Sequence, residues 1–115
     1  MKSAILVFFA AFGLYLASLP PALAPYRDTG EMTLASHTLG VAHPTSYPLY
    51  IQLGHLAQSV PLGNRAYRLS VFSALCGALA LAGLFQICRK RWGVLAGAAA
   101  ALLLGANAPV WSVVP

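Results

Sequence analysis

Three apolar runs, one polar interlude and one basic knot give the chain its outline. Ser3 to Ala24, Arg65 to Cys88 (apolar from Leu69 onward) and Gly93 to Ala108 are each rich in Leu, Ala, Phe or Gly. A membrane-crossing helix needs about 20 consecutive apolar residues, so the pattern predicts spans over 3–24, 65–88 and 94–114. The interlude over 25–64 is long for a simple connection and carries its own periodicity. Met32, Ala35 and Leu39 fall on one face of a short helix predicted from Asp28 to Leu39, with Gly40 as its stop. Leu49, Leu53, Leu56 and Val60 recur at intervals of four, three and four, which predicts a second amphipathic helix closed by the turn residues Pro61 to Asn64. Between the two helices His43 precedes Pro44, a position pushed away from helical geometry. Amphipathic helices between spans suit the membrane interface. The expected fold class is an all-α membrane protein with about three transmembrane helices and two interfacial amphipathic helices.

Composition agrees. Of 115 residues, 59% are hydrophobic and 8% charged, with a mean hydropathy of +0.74, against about 25% charged in soluble domains. A soluble fold this small leaves too much surface exposed to hide such a chain. The net charge of +5 does not imply nucleic acid, because Arg89, Lys90 and Arg91 form one tight cluster between apolar runs, the pattern of a short cytoplasmic loop (89–93). With Lys2 on the same side, the N-terminus is expected in the cytoplasm and residues 25–64 outside. The protein is then an integral, multi-pass membrane protein, in the cell membrane if prokaryotic. A signal peptide cut after Ala22-Leu23-Ala24 competes for the first run. Pro25 just beyond that site and Pro20-Pro21 before it favour an uncleaved span ending near Leu19. Cys76 and Cys88 lie twelve residues apart on one predicted helix, roughly 18 Å and beyond disulfide reach.

The only two acidic residues, Asp28 and Glu31, stand three apart just after the first span. They fit a capping box, with Asp28 at the N-cap and Glu31 reaching back. They equally fit a general base with a supporting carboxylate, and a capped side chain is also a fixed one. His37, His43 and His55 are spaced by six and twelve, which matches no compact zinc pattern; no metal site and no cofactor are indicated, although a divalent ion stays open. Tyr47 and Tyr50 read as interfacial aromatics. Arg65 and Arg68 read as snorkelling residues or, through arginine's fork of donors, as phosphate ligands.

Taken together, Asp28-x-Gly30-Glu31, then Thr38-Leu39-Gly40-Val41-x-His43-Pro44, Tyr47-Pro48-Leu49-Tyr50 and Arg68 with Ala74-Leu75-x-Gly77 resemble the N-terminal part of the protein O-mannosyltransferase-like membrane family, of the GT-C class of glycosyltransferases. The family pattern reads H-P-P-G-Y-P-L-Y where this chain has Thr45 and Ser46 in place of Pro-Gly. The resemblance implies a multispan transferase that moves a sugar such as mannose from a polyprenyl-phosphate donor to an acceptor hydroxyl on a protein or glycan, on the outer or lumenal side. It implies Asp28 as catalytic base with Glu31 beside it, and His43, Tyr47, Tyr50 and Arg68 toward the donor phosphate. It also implies that these 115 residues are a piece of a longer protein, inactive alone, whose partners include membrane lipids and the remaining helices. A non-catalytic membrane scaffold or subunit is the competing reading. A transporter would want polar residues within a span, where only Gln86 and Asn107 offer themselves near the ends.

Overall fold

The computed structural model describes residues 2–20 and 28–107. It is helical, with five helices and no strand among the described residues: α1 (Lys2–Ser18), α2 (Thr29–Thr38), α3 (Pro48–Gln58), α4 (Arg65–Trp92) and α5 (Val94–Gly105). The possible cleavage site and Trp111 lie outside the described residues. At 28 residues α4 is long and apolar enough to cross a membrane, whereas α1 and α5 are shorter apolar helices. By the α-helical rise α4 is about 42 Å long. The basic cluster is not a loop. Arg89, Lys90 and Arg91 form the last turn of α4, where positive charge is favourable against the negative end of the helix dipole.

The chain forms two compact units, Met1–Ser18 with Ser73–Pro115, and Leu19–Phe72. In the first, Tyr15, Ala74, Ala78 and Leu81 make a buried cluster, with Phe8, Ala11, Phe12 and Leu104 packed against it. Ala74, Ala78, Leu81 and Phe85 follow the four–three–four rhythm of one helical face, and all are buried. Small residues on such a face let helices approach closely where no water is present to drive them together. Gly93, at φ 96°, is the single residue between α4 and α5. That left-handed backbone suits glycine and lets the chain double back, placing Gly97 against Phe85 and Arg89, and Gly105 against Leu81.

In the second unit α2 and α3 form an antiparallel pair. Ala35, Ala42 and Ile51 are its apolar centre, with Met32 against them. The rest of the seam is polar. The Gln58 side-chain amide donates to the Thr33 carbonyl at 3.1 Å, and the His55 ring, whose Nδ1 must therefore carry hydrogen, donates to the Ser36 carbonyl at 2.9 Å. Gly54 allows this close approach. A Cβ there would lie 2.8 Å from both the Ser36 hydroxyl and a Leu69 methyl, and 3.2 Å from the Ser36 Cβ. Gly54→Ala gains up to about 1 kcal/mol in helix propensity, but forcing a methyl into a packed seam costs about 1–3 kcal/mol. Strain wins because Ser36 is fully buried. The variant is expected to be less stable by about 1–2 kcal/mol, measured by thermal unfolding of the detergent-solubilised full-length protein.

One boundary differs from expectation. The helix ends with Leu39, not Gly40, in the left-handed conformation at φ 52°. Gly40 N–H donates to the Ala35 carbonyl at 2.9 Å, the six-to-one bond of a Schellman ending. Leu39 is thereby turned out and is 56% exposed instead of lining the apolar face with Met32 and Ala35.

Candidate functional site

Asp28 stands at the N-cap of α2, and Glu31 follows in its first turn. The capping box does not form. Asp28 makes no side-chain cap bond, and the Glu31 carboxylate turns toward His43. One carboxylate oxygen accepts the backbone N–H of His43 at 2.7 Å, and the other lies 3.0 Å from His43 Nδ1. Facing a carboxylate, Nδ1 is the donor. The far ring nitrogen, Nε2, lies 3.8 Å from an Asp28 carboxylate oxygen. His43 thus stands between the chain's two acids.

Local folding explains this placement. The left-handed Leu39 reverses the chain after α2, and buried Ala42 anchors the returning loop beside Ala35 and Ile51. His43, the next residue, is carried back over the first turn of α2. Its carbonyl accepts from Ser46 N–H at 2.7 Å, and Ser46 and Tyr47 are both left-handed, at φ 68° and 41°. Pro48 then opens α3 at a position where its missing N–H costs nothing. The Tyr47 ring meets the His43 ring edge-on, centroids 5.7 Å apart.

The His43 contacts hold the Glu31 carboxyl below its ordinary value of 4.5, the backbone N–H first and the ring hydrogen bond second, with burial opposing them and the charge of the ring adding least. A depressed carboxyl pKa stabilises the folded state above the unfolded value, and that contribution fades as pH falls through the folded one. The tether is therefore intact at neutral pH and released in acid below 4.5. The stability difference between wild type and Glu31→Ala is expected to shrink over that acid range, which unfolding curves at stepped pH would read. A difference that persisted unchanged to lower pH would show that the carboxylate is not the tether.

The other expected site residues lie apart from this cluster in role. Tyr50 packs its ring near Phe72, centroids 5.8 Å apart. Arg68, in the second turn of α4, spends its guanidinium on three carbonyls: Gln58 at 2.7 Å, Leu62 at 2.9 Å and Gly63 at 3.0 Å. It closes the C-terminal end of α3 and the turn that follows, while Asn64 caps α4 through Tyr67 N–H at 2.8 Å. His37 and His55 are on α2 and α3, and His55 belongs to the polar seam. Asp28, Glu31 and His43 are the one group among the described residues whose ligand atoms converge enough for a metal ion, all within 4.8 Å of one another. Histidine spacing alone could not reveal it, because two of the three donors are the acids and the loop supplies the third.

Residues 28–112 match the model of a described family, the protein O-mannosyl-transferase TMEM260 N-terminal domain. The chain belongs to this family. A TMEM260 relative from Mus musculus, named protein O-mannosyl-transferase, is 37% identical over 98 residues, covering 84% of this chain and 14% of the relative. One of the same name from Dictyostelium discoideum is 30% identical over 79 residues, covering 66% of this chain and 10% of its own length. The chain thus spans about a seventh or less of the TMEM260 proteins it matches. No solved structure matches it.

Proposed function

We propose that the chain is the N-terminal segment of a multispan glycosyltransferase of GT-C type. In the full-length protein it would move mannose, the sugar in its relatives' names, from a polyprenyl-phosphate donor to an acceptor hydroxyl of a protein or glycan. The spans are the long helix α4 together with the shorter apolar helices α1 and α5, with the N-terminus cytoplasmic and the Asp28 segment on the outer or lumenal side. These few helices cannot enclose a donor alone; the rest of the protein completes the site.

The observation that carries the reading is the division of labour between the two acids. Glu31 is committed to His43 by two contacts, whereas the Asp28 carboxylate is 62% exposed and has the imidazole on one side. Asp28 is the base. It takes the proton of the acceptor hydroxyl as that oxygen attacks the anomeric carbon, and the polyprenyl phosphate leaves with the bonding electrons. His43, oriented by Glu31, and Tyr47 beside it meet the donor phosphate. Arg68, on the carbonyls at the C-terminal end of α3, and Tyr50, against Phe72, hold the helix that Tyr47 precedes. No cofactor enters the step. Asp28, Glu31 and His43 have the chemistry to hold a divalent ion, and the proton transfer does not depend on one.

The test is direct. Purified full-length protein, given mannosyl-phosphoryl-polyprenol and a hydroxyl-bearing acceptor peptide, is expected to transfer mannose, and a nucleotide-sugar is not expected to replace the lipid donor. A folded protein that uses only the nucleotide-sugar, or transfers from neither, overturns the proposal.

A further inference from the structure

His43 stands between two carboxylates, but not symmetrically. Glu31 accepts from its backbone N–H at 2.7 Å and from ring Nδ1–H at 3.0 Å. The bond made by one nitrogen of an imidazole sets the state of the other, so the lone pair lies on Nε2. That nitrogen is 3.8 Å from an Asp28 carboxylate oxygen, too far for a hydrogen bond at rest. The ring is thus pinned by one acid and open toward the other. The remaining side chain against it is Tyr47, edge-on at 5.7 Å from the start of α3. A base whose near nitrogen is oriented by a carboxylate, with its far nitrogen open, is arranged to accept a proton and pass it on.

Two features say where such a proton comes from and where it goes. Asp28 makes no cap bond and its side chain is 62% exposed, so it can swing across the gap or reach through one water. Catalytic hydrogen bonds are often this loose before substrate binds. The second feature is charge. A sugar phosphodiester carries one negative charge, and the phosphate that leaves carries a second unless it is protonated. The site already holds two carboxylates. Arg68, the cation that the family resemblance offers for the phosphate, spends its guanidinium on the Gln58, Leu62 and Gly63 carbonyls. A proton can relieve the leaving group where a guanidinium does not. The second ionisation of a phosphate monoester lies at about pH 6, in the range where imidazoles exchange protons.

We infer that His43 is a second catalytic residue, the relay that carries the acceptor's proton from Asp28 to the departing phosphate. As the acceptor oxygen bonds to the anomeric carbon, its proton passes to the Asp28 carboxylate. The bond from that carbon to the phosphate oxygen breaks, and its electron pair stays on phosphate. Asp28 hands the proton to His43 Nε2, and Glu31 steadies the imidazolium through Nδ1–H. The same nitrogen then gives the proton to a phosphate oxygen, as one histidine nitrogen both takes and returns a proton in the serine hydrolases. Asp28 ends as a carboxylate, His43 as a neutral imidazole and the lipid product as a monohydrogen phosphate. The relay presupposes the proposed transfer, with Asp28 as its base and a lipid phosphate as its leaving group. It joins the acceptor and donor halves of that site through one side chain.

The experiment uses the full-length protein with mannosyl-phosphoryl-polyprenol and an acceptor peptide. His43→Gln keeps the backbone N–H that Glu31 holds and offers an amide that can hydrogen-bond phosphate, but it cannot carry a proton. Its kcat is expected to fall by about 10²–10⁴-fold, with the KM for the lipid donor changed less than about threefold. His43→Ala is expected to be as slow and to regain rate as imidazole is added, but not as acetamide is added. Thermal unfolding of both variants is read alongside. A raised donor KM with kcat held would make His43 a phosphate ligand alone and overturn the relay. So would wild-type kinetics in His43→Gln, or rate lost together with the fold in both variants and not returned by imidazole. If the wild type transfers nothing from the lipid donor, the transfer itself falls and the relay with it. Transfer by the wild type with indifferent His43 variants removes the relay alone.

Discussion

Asp28→Asn in the full-length protein is expected to lower mannose transfer by about 10²–10⁴-fold, the usual worth of a positioned general base, without loosening the fold. Both halves follow from geometry. The Asp28 side chain makes no cap hydrogen bond, so little structural duty is lost, and asparagine is as good an N-cap as aspartate. Surface changes that touch no such feature usually stay within about 0.5 kcal/mol. The amide cannot accept the acceptor's proton. Initial rates with the lipid-linked donor, alongside thermal unfolding of the same preparation, separate the two effects. Transfer at the wild-type rate would remove Asp28 from the chemistry and favour a scaffold role for this segment.

Arg68→Lys is expected to be the most damaging conservative change to the fold. Three carbonyls from two different segments converge on one planar guanidinium. A lysine ammonium is a compact point charge on a flexible stem and cannot reproduce that fork. Hydrogen bonds to a charged donor are worth about 1.5–3 kcal/mol each when intact. Part exposure lowers that figure, and some of the carbonyls can turn to water, so a net loss of about 2–3 kcal/mol is expected. Unfolding of wild type and variant measures it, and the KM for the lipid-linked donor is read in parallel. Unchanged stability with a raised donor KM would return Arg68 to the phosphate-binding role that the family resemblance implies.

Much of the architecture is legible along the chain, for reasons that single residues make plain. Runs of Leu, Ala and Phe announce α1, α4 and α5, and the spacing of Leu49, Leu53, Leu56 and Val60 announces α3. Periodicity says that a helix has an apolar side; it does not say which side a neighbour uses. The α2–α3 seam is built from Gly54, Thr33, Ser36, His55 and Gln58, none of which advertises a core. Their partners are mostly backbone carbonyls, which are the same at every position and leave no trace in composition. The two acids and His43 were legible as candidates, and their meeting was not. A spacing of three between Asp28 and Glu31 favours a capping box, but the N–H and imidazole of His43, delivered by the loop at 39–47, compete for the same carboxylate and win. Position 46 is instructive as well. The family pattern has glycine there, and Ser46 adopts φ 68°, a conformation that glycine reaches without a Cβ penalty.

The one-residue joint at Gly93 has a consequence for phase. With α5 starting at Val94 and its small face, Gly97 and Ala101, buried, there is no slack in which an added or lost residue could be absorbed. One inserted residue would rotate α5 by roughly 100° about its own axis, putting Ala96 where Gly97 now meets the α4 backbone and Leu104 where Gly105 now meets Leu81. The nine-residue connection between α2 and α3 could take up the same change in its arc. Length at position 93 is therefore a timing constraint on the helical screw, and length at 39–47 is a matter of reach.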